Sequence, residues 1–408
     1  MSPYSAFRIP HSAFHMSILA RIRTPGPKRI LALDGGGIRG AVTVGFLKKI
    51  EQLLRDRSGQ PGLVLSDYFD LVGGTSTGSI IATLLALGYP TADIERMYKT
   101  LGPKIFEHKY SGWNPLDWGK IIRAAFDPRP LEAELRNILR DDTLGSDKLK
   151  TALCIVAKRA DTFSTWPMHN NPEGKYFGPP YNNKDLTLFD LVRASTAAPS
   201  YFQPHAVHLG DQEALFIDGG VSSANNPAWQ LFLMATLPGY HFNWPTGENQ
   251  LLLVSIGTGT HTKKKRAGDL QKANLLHWAK ELPDLFMEDA TWQNQTMMHY
   301  LSRSQTPHTI DGEIGNMRDA LLHGVPLLTY LRYNTWLEKP KPKPVNQADQ
   351  LLWFPKPDLT EHGFTEADLE DMREMSNAKR VNDLTKVGEI SADFFVQEGH
   401  FPKGFDVA

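Results

Sequence analysis

The sequence predicts an α/β fold, a three-layer α/β/α sandwich around a mostly parallel central sheet. Two segments carry that prediction. Arg29–Leu33 is a short apolar run suited to a buried strand, and it leads through Asp34-Gly35-Gly36-Gly37 into a stretch with helical apolar spacing. Tyr68–Val72 repeats the pattern, passing through Gly73–Gly78 into the apolar Ser79–Leu87, which Gly88 and Pro90 close. Strand, glycine-rich turn and helix, twice in succession, imply right-handed crossovers between parallel strands.

In Ile38–Arg57 the helical period is set by Val42, Phe46, Leu47, Ile50, Leu53 and Leu54. Further strands are expected at Thr151–Ala157, Ala214–Ile217 and Leu251–Ile256. Further helices are expected at Pro130–Leu139, Leu186–Ala194, Pro227–Thr236, Ala267–Leu282, Thr365–Met375 and Val381–Val396. Lys109–Pro130 and Thr165–Asn183 mix Pro, Gly and aromatic residues too freely to assign. Glu338-Lys-Pro-Lys-Pro-Lys-Pro344 is a stiff, charged linker that cannot pair as a strand. The expected organisation is a basic, flexible arm over residues 1–28, a catalytic domain over 29–335, and a linker with a helical C-terminal extension over 336–408.

Composition narrows the function. The 408 residues are 41% hydrophobic and 22% charged, as in a globular chain with a real core. Lys plus Arg is 44 and Asp plus Glu is 45, so the formal charge of −1 offers no global field to a nucleic-acid polymer. Cys154 is the single cysteine, which excludes an internal disulfide and a zinc cage. Its apolar setting, Ala152–Val156, predicts a buried inert thiol, and a reducing compartment such as the cytoplasm fits. No apolar run reaches the roughly 18 residues of a spanning helix. The first 33 residues hold five Arg or Lys and no acid, without the apolar core of a secretory signal. Such an arm would be held near anionic lipid. His-Glu-x-x-His and the calcium-loop spacing are absent, so no metal and no cofactor are expected.

Three glycine-rich blocks carry the chemistry. Gly74-Thr75-Ser76-Thr77-Gly78 matches G-x-S-x-G between strand and helix, where a sharp turn lifts the serine hydroxyl off the sheet edge and small flanks avoid the neighbouring backbone. In Asp34-Gly35-Gly36-Gly37-Ile38-Arg39-Gly40, bare backbone N–H groups can converge on an oxyanion. The same letters satisfy G-x-G-x-x-G, but the next strand ends in Gly73-Gly74 rather than an acid, and Ser79 stands where a phosphate loop requires Lys. In Phe216-Ile217-Asp218-Gly219-Gly220 an aspartate closes a strand and projects toward the loops.

In this order, Asp34–Gly40, Gly74–Gly78 and Asp218–Gly220 resemble the signature blocks of the patatin-like phospholipase family. The likeness extends to Ala194–Pro199, Asn225–Pro227 and Ser255–Gly259 and covers roughly residues 29 to 260; Tyr330–Asn334 and His400-Phe401 resemble the tail of bacterial members. The resemblance implies a patatin-like three-layer fold and a Ser–Asp dyad. Ser76 would be the nucleophile and Asp218 its base, with an oxyanion hole at Gly35, Gly36, Gly37 and Arg39 and a nucleophile elbow framed by Gly74 and Gly78. It implies phospholipids, lysophospholipids or other acyl lipids as substrates, cleaved through an acyl-enzyme.

Peripheral membrane contact is one reading of Tyr110–Phe126, where Trp113 and Trp118 interleave with Lys120 and Arg123; packing on the protein's own core is the other. Trp278–Met298 carries the same ambiguity. A Ser-His-Asp triad drawing on His205, His208 or His241 stays open, as does a nucleotide-binding module without catalysis. Some bacterial members of the family are switched on by a cyclic nucleotide, but no sensor pocket is readable here.

Overall fold

The structure is a computed structural model that describes residues 16–106, 126–199, 201–210, 212–262, 274–342 and 354–407. Among the described residues nine strands form one sheet: β1 (Lys28–Leu33), β2 (Leu71–Thr75), β3 (Ala152–Arg159), β4 (Thr165–His169), β5 (His205–Leu209), β6 (Gln212–Asp218), β7 (Leu251–Ile256), β8 (Ser302–Ser304) and β9 (Leu328–Tyr333). Their order is β5-β6-β3-β2-β1-β7-β9-β8, with β4 paired to β3. The centre and one flank are parallel, and β4, β5 and β6 add antiparallel pairings on the other flank.

The main helices are α1 (Gly40–Ser58), α2 (Thr77–Ala86), α3 (Thr91–Phe106), α4 (Arg129–Leu139), α5 (Leu188–Ser195), α6 (Ala228–Thr236), α7 (Leu275–Leu301) and α8 (Val381–Phe395). Strand alternation divides them between two faces. Along β1, Leu31 and Leu33 enter a core with side chains of α1, α2, α5 and α8, whereas Ile30 and Ala32 enter a second core with Leu231 and Met234 of α6 and Met298 of α7. Three layers follow directly. A sheet buried on both faces needs apolar residues throughout, and the strands around β1 supply them.

One feature of the sheet positions the site. β3 pairs on one side with β4 and on the other with two strands in series: β2 over Ala152–Val156, then β6 over Ala157–Arg159. Thr75 lies opposite Val156 and Asp218 opposite the next residue, Ala157. β6 runs antiparallel to β3, so the C-terminal ends of β2 and β6 meet head to head.

Several elements differ from the sequence pattern. β2 starts at Leu71 because Tyr68 closes a helical turn, Leu65–Tyr68, and the strand continues through Gly73 and Gly74, which pair with Ala32 and Leu33. The sequence pattern predicts none of α3, β4, β5, β8 and β9; β4 lies within the irregular stretch Thr165–Asn183. α7 runs over Leu275–Leu301 rather than ending at Leu282, with Pro283 tolerated inside it; residues 267–273 of the expected helix lie outside the described residues. Within the basic arm, Ile18–Arg23 forms a short helix that buries Ile22, and Arg21 donates to the carbonyls of Asp67, Phe69 and Lys150. Residues 1–15 of that arm, and residues 110–125 of the Trp113/Trp118 stretch, lie outside the described residues. In the C-terminal extension, α8 packs along α1. Cys154 is fully buried, and burial pushes its thiol well above the ordinary range.

Candidate active site

The Ser76 turn is strained by construction. Ser76 holds φ 53° and ψ −126°, a conformation that costs a residue with a side chain about 1–3 kcal/mol and persists only where its surroundings fix it. Those surroundings are close. The Ser76 N–H donates to Ser195 Oγ at 2.9 Å, and Ser195 Oγ–H donates to the Val156 carbonyl at 2.6 Å, tying the elbow through α5 to β3. The Ser76 carbonyl accepts from the Ser79 N–H and hydroxyl. A Cβ at Gly78 would lie 2.2 Å from the Leu33 carbonyl oxygen, and one at Gly74 would lie 2.1 Å from that of Gly78. Both glycines are steric requirements of the turn.

The Ser76 hydroxyl donates to Asp218 Oδ2 at 2.6 Å. The other carboxylate oxygen, Oδ1, accepts the Gly220 N–H at 2.7 Å, and the Asp218 N–H donates to the Ala197 carbonyl. Asp218 is only 4% exposed. Burial pushes its pKa up to about 6, against the hydrogen bonds from Ser76 and Gly220 that stabilise the anion. Among the described residues no histidine is hydrogen-bonded to either residue. Of the histidines the triad reading drew on, His205 instead lies 2.9 Å from Asp190, and neither His208 nor His241 is hydrogen-bonded to Ser76 or Asp218.

The Asp34–Gly40 loop lies beside the hydroxyl. A Cβ built on Gly35 would lie 3.2 Å from Ser76 Cβ. Among the described residues the N–H groups of Gly36 and Gly37 have no acceptor, whereas Gly35 donates to the Asn225 carbonyl and Ile38 to that of Met375. Of the three expected glycine donors, Gly35 is therefore already committed. Gly37 adopts φ 59° with the Met375 carbonyl 2.4 Å from where its Cβ would be, so glycine is needed for both shape and space. Arg39 sits at the loop's far end, partly buried. Its pKa is lowered by burial, with Asp284, Tyr201 and Glu288 opposing that shift.

Residues from remote segments hold this loop. Asp34 forms a buried bidentate pair with Arg332, at 2.9 and 2.6 Å, and Arg332 also donates to Ser255. Burial raises the Asp34 carboxyl against the pull of Arg332. Thr258 donates to the Gly35 carbonyl at 3.0 Å. Motif reading gave Ser195, Thr258, Arg332 and Met375 no role; the first three fall in segments noted only for their family likeness, and Met375 left no signal. Among the described residues no group of acids, histidines and cysteines could hold a metal ion.

With this geometry in place, the family model for patatin-like phospholipase matches residues 31–232, a span that contains Ser76, Asp218 and the glycine loop. Residues 31–232 are a patatin-like phospholipase region by that match. A cGAMP-activated phospholipase of Vibrio cholerae is 34% identical over 213 residues, covering 49% of this chain and 56% of that protein. The chain thus matches little more than half the length of that relative. Patatin-2-Kuras 2 of Solanum tuberosum is 26% identical over 360 residues, covering 80% of this chain and 88% of the patatin. VipD from Legionella pneumophila matches the patatin-like chain with TM-score 0.34 and 13% identity, covering 89% of this chain and 67% of VipD. Among the described residues no helix is long and apolar enough to cross a membrane.

Proposed function

We propose that this chain is a lipid acyl hydrolase that cleaves fatty-acyl esters of phospholipids or lysophospholipids through Ser76 and Asp218. The observation that carries the reading is the direct 2.6 Å hydrogen bond from the strained serine to a buried carboxylate. As Ser76 Oγ attacks the acyl carbonyl carbon, its proton passes to Asp218 Oδ2. The carbonyl oxygen becomes an oxyanion facing the free N–H groups of Gly36 and Gly37. The leaving alcohol departs with the proton from Asp218 as the acyl-enzyme forms. Water then attacks the acyl carbon, giving its proton to Asp218, and collapse returns that proton to Ser76 as the fatty acid leaves. An exposed aspartate is a poor base for an alcohol; at about 6 Asp218 is more basic yet mostly ionised at neutral pH.

Lipid esters are met at a surface. Trp278, Leu282, Leu285 and Phe286 are exposed at i, i+4, i+7 and i+8 along α7, whose Met287 and Thr291 approach Gly220 and Asn225. This stripe supports peripheral contact with a membrane. The relative's activation by cGAMP supports a second reading, a nucleotide that controls the rate, and adding cGAMP to the purified chain tests it directly.

The decisive experiment is fluorophosphonate labelling with measurement of fatty-acid release from phospholipid micelles. Wild type should label at Ser76 and release fatty acid. Ser76→Ala should do neither, with its fold retained by circular dichroism. Fatty-acid release by Ser76→Ala at the wild-type rate would overturn the assignment.

A further inference from the structure

Next to the glycine loop lies a cavity of about 130 Å³, bordered by Gly35 and Asn225 on the Ser76 side. Its lining includes an unusual set of buried polar atoms without hydrogen-bond partners: Arg39 Nε, Gln295 Nε2, Trp336 Nε1 and Arg332 Nε as donors, and Asn225 Oδ1 as acceptor. Gln295 is 4% exposed and Asn225 7%. Buried polar groups are ordinarily satisfied, and orphans around one cavity call for a partner inside it. Donors dominate, so that partner presents acceptors. The same cavity is lined by Asp284 and Glu288, which balance the cation of Arg39 and make a purely anionic guest a poor electrostatic match.

The geometry points to a headgroup pocket for a zwitterionic glycerophospholipid, its phosphate held by Arg39, Gln295 and Trp336 and its ammonium by Asp284 and Glu288. This rests on the acyl-hydrolase reading and specifies its substrate class. A phosphate with a short amine arm matches this set of donors and acids, whereas an acyl chain would leave them unpaired. Position agrees. Gly35 borders the cavity and its Cβ would lie 3.2 Å from Ser76 Cβ, so a phosphate in the pocket would leave the glycerol esters within a few bonds of the serine.

Two substitutions test the pocket by removing one donor each. Gln295→Leu removes the amide donor. Trp336→Phe removes Nε1–H but keeps an aromatic face for Lys356, whose ammonium lies 3.6 Å from the Trp336 ring centroid. The first readout is the ratio of kcat/KM for dioleoyl phosphatidylethanolamine to that for dioleoylglycerol in mixed micelles. Wild type should favour the phospholipid, and each variant should lower the ratio about tenfold, the scale of one hydrogen bond to a charged group. The second readout is calorimetric binding of phosphoethanolamine, and separately of inorganic phosphate, to the full chain. Phosphoethanolamine should bind wild type more tightly than phosphate does, and about tenfold more weakly to each variant.

An unchanged ratio in both folded variants means the cavity holds ordered water only and overturns the pocket. Equal binding of inorganic phosphate overturns its zwitterionic character. If wild type hydrolyses neither lipid, the acyl-hydrolase reading fails, and calorimetry alone then decides whether the pocket stands.

Discussion

The two glycine-rich turns at the site are stabilised in opposite ways. The Ser76 elbow is braced mainly by its immediate surroundings: β2, the first turn of α2, the β1 carbonyl against Gly78, and one hydroxyl from α5. The Asp34–Gly40 loop is braced from afar, by Asn225, Thr258, Arg332 and Met375. A nucleophile must be rigid and strained, which dense local packing achieves. An anion cradle must leave donors bare, so its shape is imposed by groups bonding its other atoms. In the proposed mechanism the reactive hydroxyl and the electrostatics that serve it therefore fail separately.

The largest expected effect is on the elbow's partner. Asp218→Asn should lower fatty-acid release by about 10³-fold or more, as loss of one member of a catalytic unit does. Stability should move the other way. Because the folded pKa of Asp218 lies above its unfolded value, the cost of burying its charge is absent below pH about 4 and fully present above about 6. The difference between about 6 and the ordinary 3.8 corresponds to about 3 kcal/mol at most, so Asp218→Asn should raise Tm at pH 7.5 and not at pH 4. In wild type, kcat/KM should rise with pH through about 6 as the base ionises; a flat profile from pH 5 to 8 would remove Asp218 from that role.

The remote bracing should break next. Arg332→Met leaves Asp34 buried and unpaired, which should cost about 3–5 kcal/mol in urea unfolding. Adding Asp34→Asn should recover much of that stability without recovering activity, since the loop loses its anchor either way. Gly78→Ala drives a methyl into the Leu33 carbonyl and should cost about 1–3 kcal/mol or more, with fluorophosphonate labelling at Ser76 lost. The smallest effect belongs to Ser195→Ala. It strands the half-buried Ser76 N–H and should cost about 1 kcal/mol, read as a lower Tm with a modest fall in labelling rate.

Much of the elbow was legible in the chain because its requirements are local. Glycines at 74 and 78, a preceding apolar strand and a following apolar helix leave few other conformations for Ser76. Asp218 was legible as a strand-end acid, and its use came from resemblance. Arg332 was not: it lies 298 residues from Asp34, in a segment noted only for its family likeness. Gln295 and Trp336 look like ordinary helix and loop residues until one cavity gathers their unpaired atoms. The long helix was misplaced because its apolar spacing continues past Pro283 on a face packed against α6.

The sequence by itself determined the repeated strand–turn–helix units and the backbone freedom of their turns, because glycine placement and apolar period act over a few residues. Only the tertiary structure decided that β2 and β6 meet end to end on β3, bringing a serine and an aspartate 142 residues apart to 2.6 Å. Strand pairing is a contest among all edges of the sheet, settled by the whole core, and no short segment encodes its outcome.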